Sequence, residues 1–284
     1  MLSNAHQVFR AGLKQALRMS TAWFKPNFVP KLLRSYQKQY ASVEVWNTTC
    51  IVSNFGKEKA SKCSVLINSS SPSLLGVRKF PYFPSGGPQP KEPPLKVEHH
   101  LMGYVSQWGG MDLKRGMLFP FNAVDGLVHE LGGWKLAMHC YMLPTVKEDE
   151  RCPVGQAVST PPGGRLLAVE YEKIVHTVPP FYEHNSGDPK AYLFQCYENA
   201  LNICEDRLPD HAGGAPLRIA CPLLGAGARG FPLEIAIEVA ARASLKWREK
   251  NDKVQGRQKI LVFGIPQLEV ALKLNDAISR IDQI

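Results

Sequence analysis

The chain has 284 residues, 44% of them hydrophobic and 21% charged, an ordinary globular composition with room for one large domain or two small ones. No apolar run approaches the roughly 18–20 residues that a helical membrane crossing needs, so no membrane span is expected and the chain reads as soluble. The formal net charge of +9 would suggest a nucleic-acid partner, but it is concentrated: no acidic residue precedes Glu44, and Arg10, Lys14, Arg18, Lys25, Lys31, Arg34 and Lys38 carry seven of those charges.

Residues 1–40 form a basic leader. Within MLSNAHQVFRAGLKQALRMSTAWF, Val8, Phe9, Leu13, Leu17 and Met19 stand at near-helical spacing with Arg10, Lys14 and Arg18 between them. An acid-free, Arg-containing amphipathic N-terminus has the features of a transit peptide, which points to the mitochondrion, with the cytoplasm as the alternative. A basic arm docked on a protein or RNA partner is the second reading of the same residues.

The body then alternates. VEVWNTTCIV (43–52) is strand-like, and KCSVLINSSSP (62–72) has the nearly continuous apolar run of a buried central strand. Residues 77–122 carry Pro81, Pro84, Pro88, Pro90, Pro93, Pro94 and Pro120 with interspersed aromatics, and read as a long insertion. A helix is expected over 124–143, interrupted at Gly132–Gly133. A strand over 172–180, a helix over 190–208, a strand over 217–224, a helix from about 232 to 249, a strand over 259–265 and a helix over 266–281 complete the chain. Pro232 and Pro266 are expected in the first turns of their helices. Alternating strands and helices imply a three-layer α/β/α fold with a mixed, mostly parallel sheet.

The seven cysteines are odd in number, contain no C-x-x-C and lie mostly in apolar runs, so buried free thiols are expected. His99–His100 lack a second ligand pair at useful spacing, and no metal site or cofactor is expected.

LLGAGARGFPLE (223–234) spells G-x-G-x-x-G at Gly225, Gly227 and Gly230. A dinucleotide-binding turn normally follows the first strand of a long βαβ series and needs an acid at the end of the next strand. Here only two further elements follow, Glu249 and Asp252 lie in a polar linker, and KILVF ends on Gly264. The nicotinamide or flavin reading therefore falls. A glycine turn opening onto a helix N-terminus remains an anion site by its own physics, or else a tight turn without a ligand.

Four segments in order resemble the macrodomain family: VLINSSSPSLLG (65–76), VDGLVHELGG (124–133), CPVGQAVSTPPGGRLLAVEYEKIVHTVPP (152–180) and RIACPLLGAGARGFPLEIAIEVAARA (218–243). The resemblance spans roughly residues 43–281 and implies ADP-ribose binding in a cleft at the strand ends. It makes Gly225, Gly227, Gly230 and Phe231 part of a diphosphate loop. It also marks departures. Arg229 stands where relatives carry an aromatic or aliphatic residue against the distal ribose; it could pair with phosphate, fill the ribose site, or be solvated at the surface. Of the asparagine pair in N-A-A-N, Asn68 remains and Ser71 replaces the second. Asn47 replaces an aspartate that reads the adenine amino group, and FNAV (121–124) replaces a glycine run. Asp125 is kept, either as the carboxylate that polarises an attacking water or as a helix-start partner.

The sequence thus supports a single macrodomain-like domain over 41–284 behind the leader. It would bind ADP-ribose or a related nucleotide with weak or no ADP-ribosyl hydrolase activity. The alternative is a non-catalytic subunit of a mitochondrial protein or ribonucleoprotein assembly, docked through residues 1–40 and 77–122.

Overall fold

The computed structural model describes residues 29–48, 51–52, 62–74, 124–148, 150–182, 187–205, 215–227 and 229–283, without the side chains of Glu130, Arg165 and Leu166. The amphipathic leader segment, the proline-rich insertion, FNAV up to Ala123 and Cys50 lie outside the described residues.

The described elements are β1 (Lys31–Gln37), β2 (Ala41–Asn47), β3 (Val65–Ser69), α1 (Val124–Tyr141), β4 (Ala157–Thr160), α2 (Arg165–Ala168), β5 (Lys173–Thr177), α3 (Pro189–Glu205), β6 (Leu217–Cys221), α4 (Leu233–Asp252), β7 (Lys259–Ile265) and α5 (Leu268–Asp282). The sheet order is β1-β2-β7-β6-β3-β5-β4. Strands β2, β7, β6, β3 and β5 run parallel, and the two edges, β1 on β2 and β4 on β5, are antiparallel. This is the expected mixed three-layer fold.

Alternation along the strands builds both layers. Val65, Ile67, Ile219, Cys221, Leu261 and Phe263 pack against α3, α4 and α5, whereas Leu66, Ile174, Ala220, Ile260 and Val262 pack against α1 and α2. Gly133, at φ +58°, breaks the helical path inside α1 as its glycine pair predicts. Among the described residues no helix is long and apolar enough to cross a membrane.

Several expectations need correction. The sheet begins at Lys31, inside the segment read as a leader and ahead of residue 41. There β1 lies on the sheet edge with Lys31 exposed, and buried Tyr36 donates its hydroxyl to the Asn275 carbonyl at 2.6 Å. Its short apolar content is overshadowed by its charges, which is why it reads as leader. Strand β4 is likewise too short, at four residues, for a period to register. Helix α4 continues to Asp252, Pro232 is its N-cap, and Pro266 precedes Gln267, the N-cap of α5.

The six described cysteines, Cys63, Cys140, Cys152, Cys196, Cys204 and Cys221, are buried, with no disulfide among them. Burial pushes the Cys63, Cys140 and Cys152 thiols up to about 12 and Cys196 up to about 11.

A buried ion pair spans three strands. Arg218 on β6 donates to Glu44 on β2 at 2.7 and 3.3 Å, passing over β7, and Trp46 Nε1 donates to the same carboxylate at 2.7 Å. Removing one partner leaves the other charge buried, which typically costs about 3–5 kcal/mol. Arg218→Met is therefore expected to destabilise the protein by that amount in chemical denaturation, and Glu44→Gln added to it to recover most of the loss.

Candidate functional site

Strands β3 and β6 are neighbours whose chain continuations part. The chain leaves β3 for α1 on one face of the sheet, and leaves β6 for α4 on the other. A crevice opens outside the carboxyl ends of parallel strands at such a divergence, the usual ligand position in open α/β sheets.

The loop after β6 forms one wall. Gly225 and Gly230 have φ of +82° and +71°, a region that side chains with a Cβ avoid. A Cβ on Gly225 would also stand 3.0 Å from the Phe231 ring. The turn is closed by Gly230 N–H donating to the Gly227 carbonyl at 3.0 Å and Phe231 N–H to the Gly225 carbonyl at 3.2 Å. Gly227 is different. It is exposed, and a Cβ built there meets nothing within 4 Å, so its lack of a side chain leaves open space rather than relieving a clash. The loop leads into the 20-residue α4, whose N-terminus has no side-chain cap and carries the positive end of the helix dipole.

Beneath the other wall lies a buried polar cluster. Asn68 and His176 are register partners on β3 and β5, and their side chains share the face that α1 covers. Asp125, in the first turn of α1, is buried, and its Oδ1 accepts from Asn68 Nδ2 at 2.7 Å and from Ser70 Oγ at 3.1 Å. His129 follows one helical turn later on the same face, with Nε2 3.5 Å from Asp125 Oδ1. The Asp125 carboxylate can only accept, so it fixes the Asn68 amide orientation. Asn68 Nδ2 must then donate to His176 Nδ1 at 3.2 Å as well, which makes His176 the Nε2–H tautomer, donating to Thr160 Oγ1 at 2.9 Å. Burial, reinforced by neighbouring His129, pushes His176 down to about 3, and it is neutral.

Arg229 joins the two walls. Its side chain is only 5% exposed, which removes the surface-solvated alternative. Nη2 donates to the Ser70 carbonyl at 2.6 Å, and the guanidinium carbon lies 4.5 Å from the centre of the Phe181 ring. The Arg229 carbonyl accepts from Tyr182 N–H at 3.0 Å. One residue thus ties the turn after β3, the segment after β5 and the loop after β6 together.

The remaining expected site residues are more dispersed. Asn47 ends β2 on the same carboxyl edge, three strands from β3, or about 14 Å at the usual interstrand spacing. Its Nδ2 donates to the Ile265 and Pro266 carbonyls at 2.9 and 3.1 Å, which leaves Oδ1 as its acceptor. Ser71 is buried, with its hydroxyl 3.4 Å from that of Ser73. Phe231 is directed into the core, with its ring 5.2 Å from Tyr182, and supports the loop from behind. Asn68 likewise faces inward, to Asp125 and His176. Ser70, Phe181, His129, His176 and Thr160 complete the arrangement without having been singled out in the sequence. The Asp125–His129 spacing of four on a helix was the one available signal. Among the described residues no group of His, Cys, Asp and Glu side chains is placed to hold a metal ion.

The macro domain family profile matches residues 118–240. A macro domain-containing protein of Listeria monocytogenes is 32% identical over 128 residues, 45% of this chain and 65% of its own length. An ADP-ribose glycohydrolase of Mus musculus is 31% identical over 153 residues, 53% of this chain and 28% of its own length. The solved Oceanobacillus iheyensis macrodomain with ADP superposes with a TM-score of 0.57 at 17% identity, over 90% of this chain and 99% of that one. That likeness is one of fold. The match to the Listeria relative spans just under two thirds of that protein.

His176 gives the site a pH signature. Its folded value of about 3 lies below the ordinary 6.5, so the unfolded chain binds the proton more readily. The stability this contributes is complete above about pH 6.5 and is lost as pH falls towards 3. Between pH 7 and 5 the loss amounts to about 2 kcal/mol at 1.36 kcal/mol per unit. Denaturation midpoints measured across that interval should fall by correspondingly less in His176→Gln than in the parent protein.

Proposed function

Since the chain belongs to the macrodomain family, we propose that it binds ADP-ribose or a related nucleotide across the carboxyl edge of its sheet, with weak or no hydrolase activity. The carrying observation is the loop after β6. Its backbone turns on Gly225 and Gly230, opens at Gly227 and leads into the uncapped N-terminus of α4. A diphosphate is the ligand that this combination of bare backbone and positive dipole suits. Asn47 Oδ1, an acceptor farther along the same edge, can take an amino hydrogen from a base. The O. iheyensis relative solved with ADP fits this picture.

Weak hydrolysis is the reading that the surroundings of Asp125 support. A carboxylate that activates water needs a lone pair directed at that water within hydrogen-bond reach. Here Oδ1 already accepts from Asn68 and Ser70 and faces His129, and α1 buries the group beneath the Ser70 turn. Ser71 offers a hydroxyl where an amide would give both a donor and an acceptor. Asp125 in this arrangement anchors the start of α1 to β3.

One observation favours a second reading, that of a structural subunit in a mitochondrial protein or ribonucleoprotein assembly. Trp134, Met138, Tyr141 and Met142 recur at helical spacing and are 65%, 49%, 67% and 73% exposed. Such an apolar stripe suits a protein partner.

Calorimetry of the full chain with ADP-ribose and ADP tests the nucleotide reading. The full chain is needed because a start at residue 41 would remove β1. Binding is expected, and Gly227→Glu should weaken it at least tenfold by filling the open space with a like charge. The melting temperature should stay within about 2 °C, because nothing in the fold is displaced. Absence of heat with either ligand at millimolar concentration would leave the structural-subunit reading.

A further inference from the structure

Arg229 links the loop after β6 to the turn that covers the buried Asp125 carboxylate. Its backbone belongs to the glycine loop, two residues beyond Gly227. Its side chain ends on Ser70, whose own hydroxyl touches Asp125. A ligand group that leaves the loop and heads for Asp125 over the ends of β6 and β3 therefore meets the guanidinium first.

That guanidinium is held in place. The 2.6 Å hydrogen bond to Ser70 fixes its tip, the Phe181 ring supports its plane, and the bond from Tyr182 N–H fixes its backbone. Gly230, with its positive φ, sets the direction in which the chain leaves. Swinging Arg229 aside would break the hydrogen bond and expose the Phe181 face. The guanidinium is accordingly a fixed cation between the two loops, two residues along the chain from the open space at Gly227.

Resting on the reading of a nucleotide crevice, we propose that Arg229 determines which nucleotide is taken, and that the crevice prefers a nucleoside diphosphate with a free terminal phosphate, ADP, over ADP-ribose. Two physical effects act in the same direction. A terminal phosphate carries close to two negative charges at neutral pH, whereas a phosphate esterified on both sides carries one. A guanidinium donates charge-assisted hydrogen bonds to phosphate oxygens and gains most from the more highly charged group, here with Nη2 already given to the Ser70 carbonyl. A ribose attached beyond the second phosphate removes that extra charge. It also requires the volume that the guanidinium and Phe181 occupy together. ADP ends where Arg229 begins, and ADP-ribose continues into it.

The test is the ratio of ADP to ADP-ribose affinity, measured by calorimetry on the full chain and on Arg229→Ala, Arg229→Gln and Arg229→Lys. The parent protein should bind ADP at least tenfold more tightly than ADP-ribose. Arg229→Ala should weaken ADP about tenfold and leave ADP-ribose equal or tighter, so that the ratio falls at least tenfold. Arg229→Lys should keep part of the preference, since it retains the charge and loses the fork. Each ratio is taken within one variant, so a stability loss common to both ligands cancels; Arg229→Gln serves if Arg229→Ala does not fold. An ADP-ribose affinity equal to or above that of ADP in the parent protein overturns the proposal and leaves the nucleotide crevice standing. A ratio unmoved by any substitution does the same. If neither ligand binds the parent or any variant, the nucleotide reading itself fails and the proposal with it.

Discussion

The hydrogen bond from Asn68 to Asp125 sets the terms for everything above it. It fastens the first turn of α1 to the central strand β3 on the face where that helix must cover the sheet. A buried carboxylate needs donors close by, and the amide of Asn68 and the hydroxyl of Ser70 answer that need, with His129 Nε2 3.5 Å away. Meeting it fixes the turn after β3 so that the Ser70 carbonyl faces outward to Arg229. The same amide fixes the proton on His176 and, through it, the link to Thr160 on β4. Four segments distant in sequence are ordered by one acceptor and the donors it recruits.

The crevice above this cluster combines a kept half and an altered half. The loop after β6 retains what phosphate binding requires of a backbone, with glycines where φ is positive and open space at Gly227. The turn after β3 carries a hydroxyl at Ser71 and is met by the Arg229 side chain. That long side chain reaches the Ser70 carbonyl across the space between the two loops. The Asp125 carboxylate is buried beneath that turn, and the guanidinium that spans the two loops is itself held against the Ser70 carbonyl.

Much of the fold was legible in the residues. Apolar runs such as VLIN and ILVF mark central strands because both of their faces are buried, and the helices on either side show clear three-to-four spacing. The elements that the residues do not announce are β1, α2 and β4: β1 is a charged edge strand with four of its seven residues exposed, and α2 and β4 have four residues each, too few for a period to register. Within the site, the glycines of the loop and Asp125 were legible, because backbone conformation and helix position are local properties. The direction of Arg229 was not. Surface, ribose-site and phosphate roles are all compatible with one residue letter, and only the tertiary placement of Ser70 and Phe181 separates them. Phe231 stands in a loop motif that suggests a ligand contact, and its ring packs into the core beneath the loop. Buried partners such as His176 and Thr160 are invisible to spacing, since strand pairing rather than chain proximity joins them.

The buried thiols have a consequence of a different kind. Cys63 and Cys140 lie in the layer under α1, while Cys196 and Cys221 lie in the opposite layer, and burial keeps these sulfurs protonated and sheltered. An alkylating reagent can reach them only when the layer above opens. The molecule therefore carries two sets of internal clocks, one on each side of its sheet. The rate at which each set is labelled registers how often that layer parts from the strands it covers, without any probe having to be added.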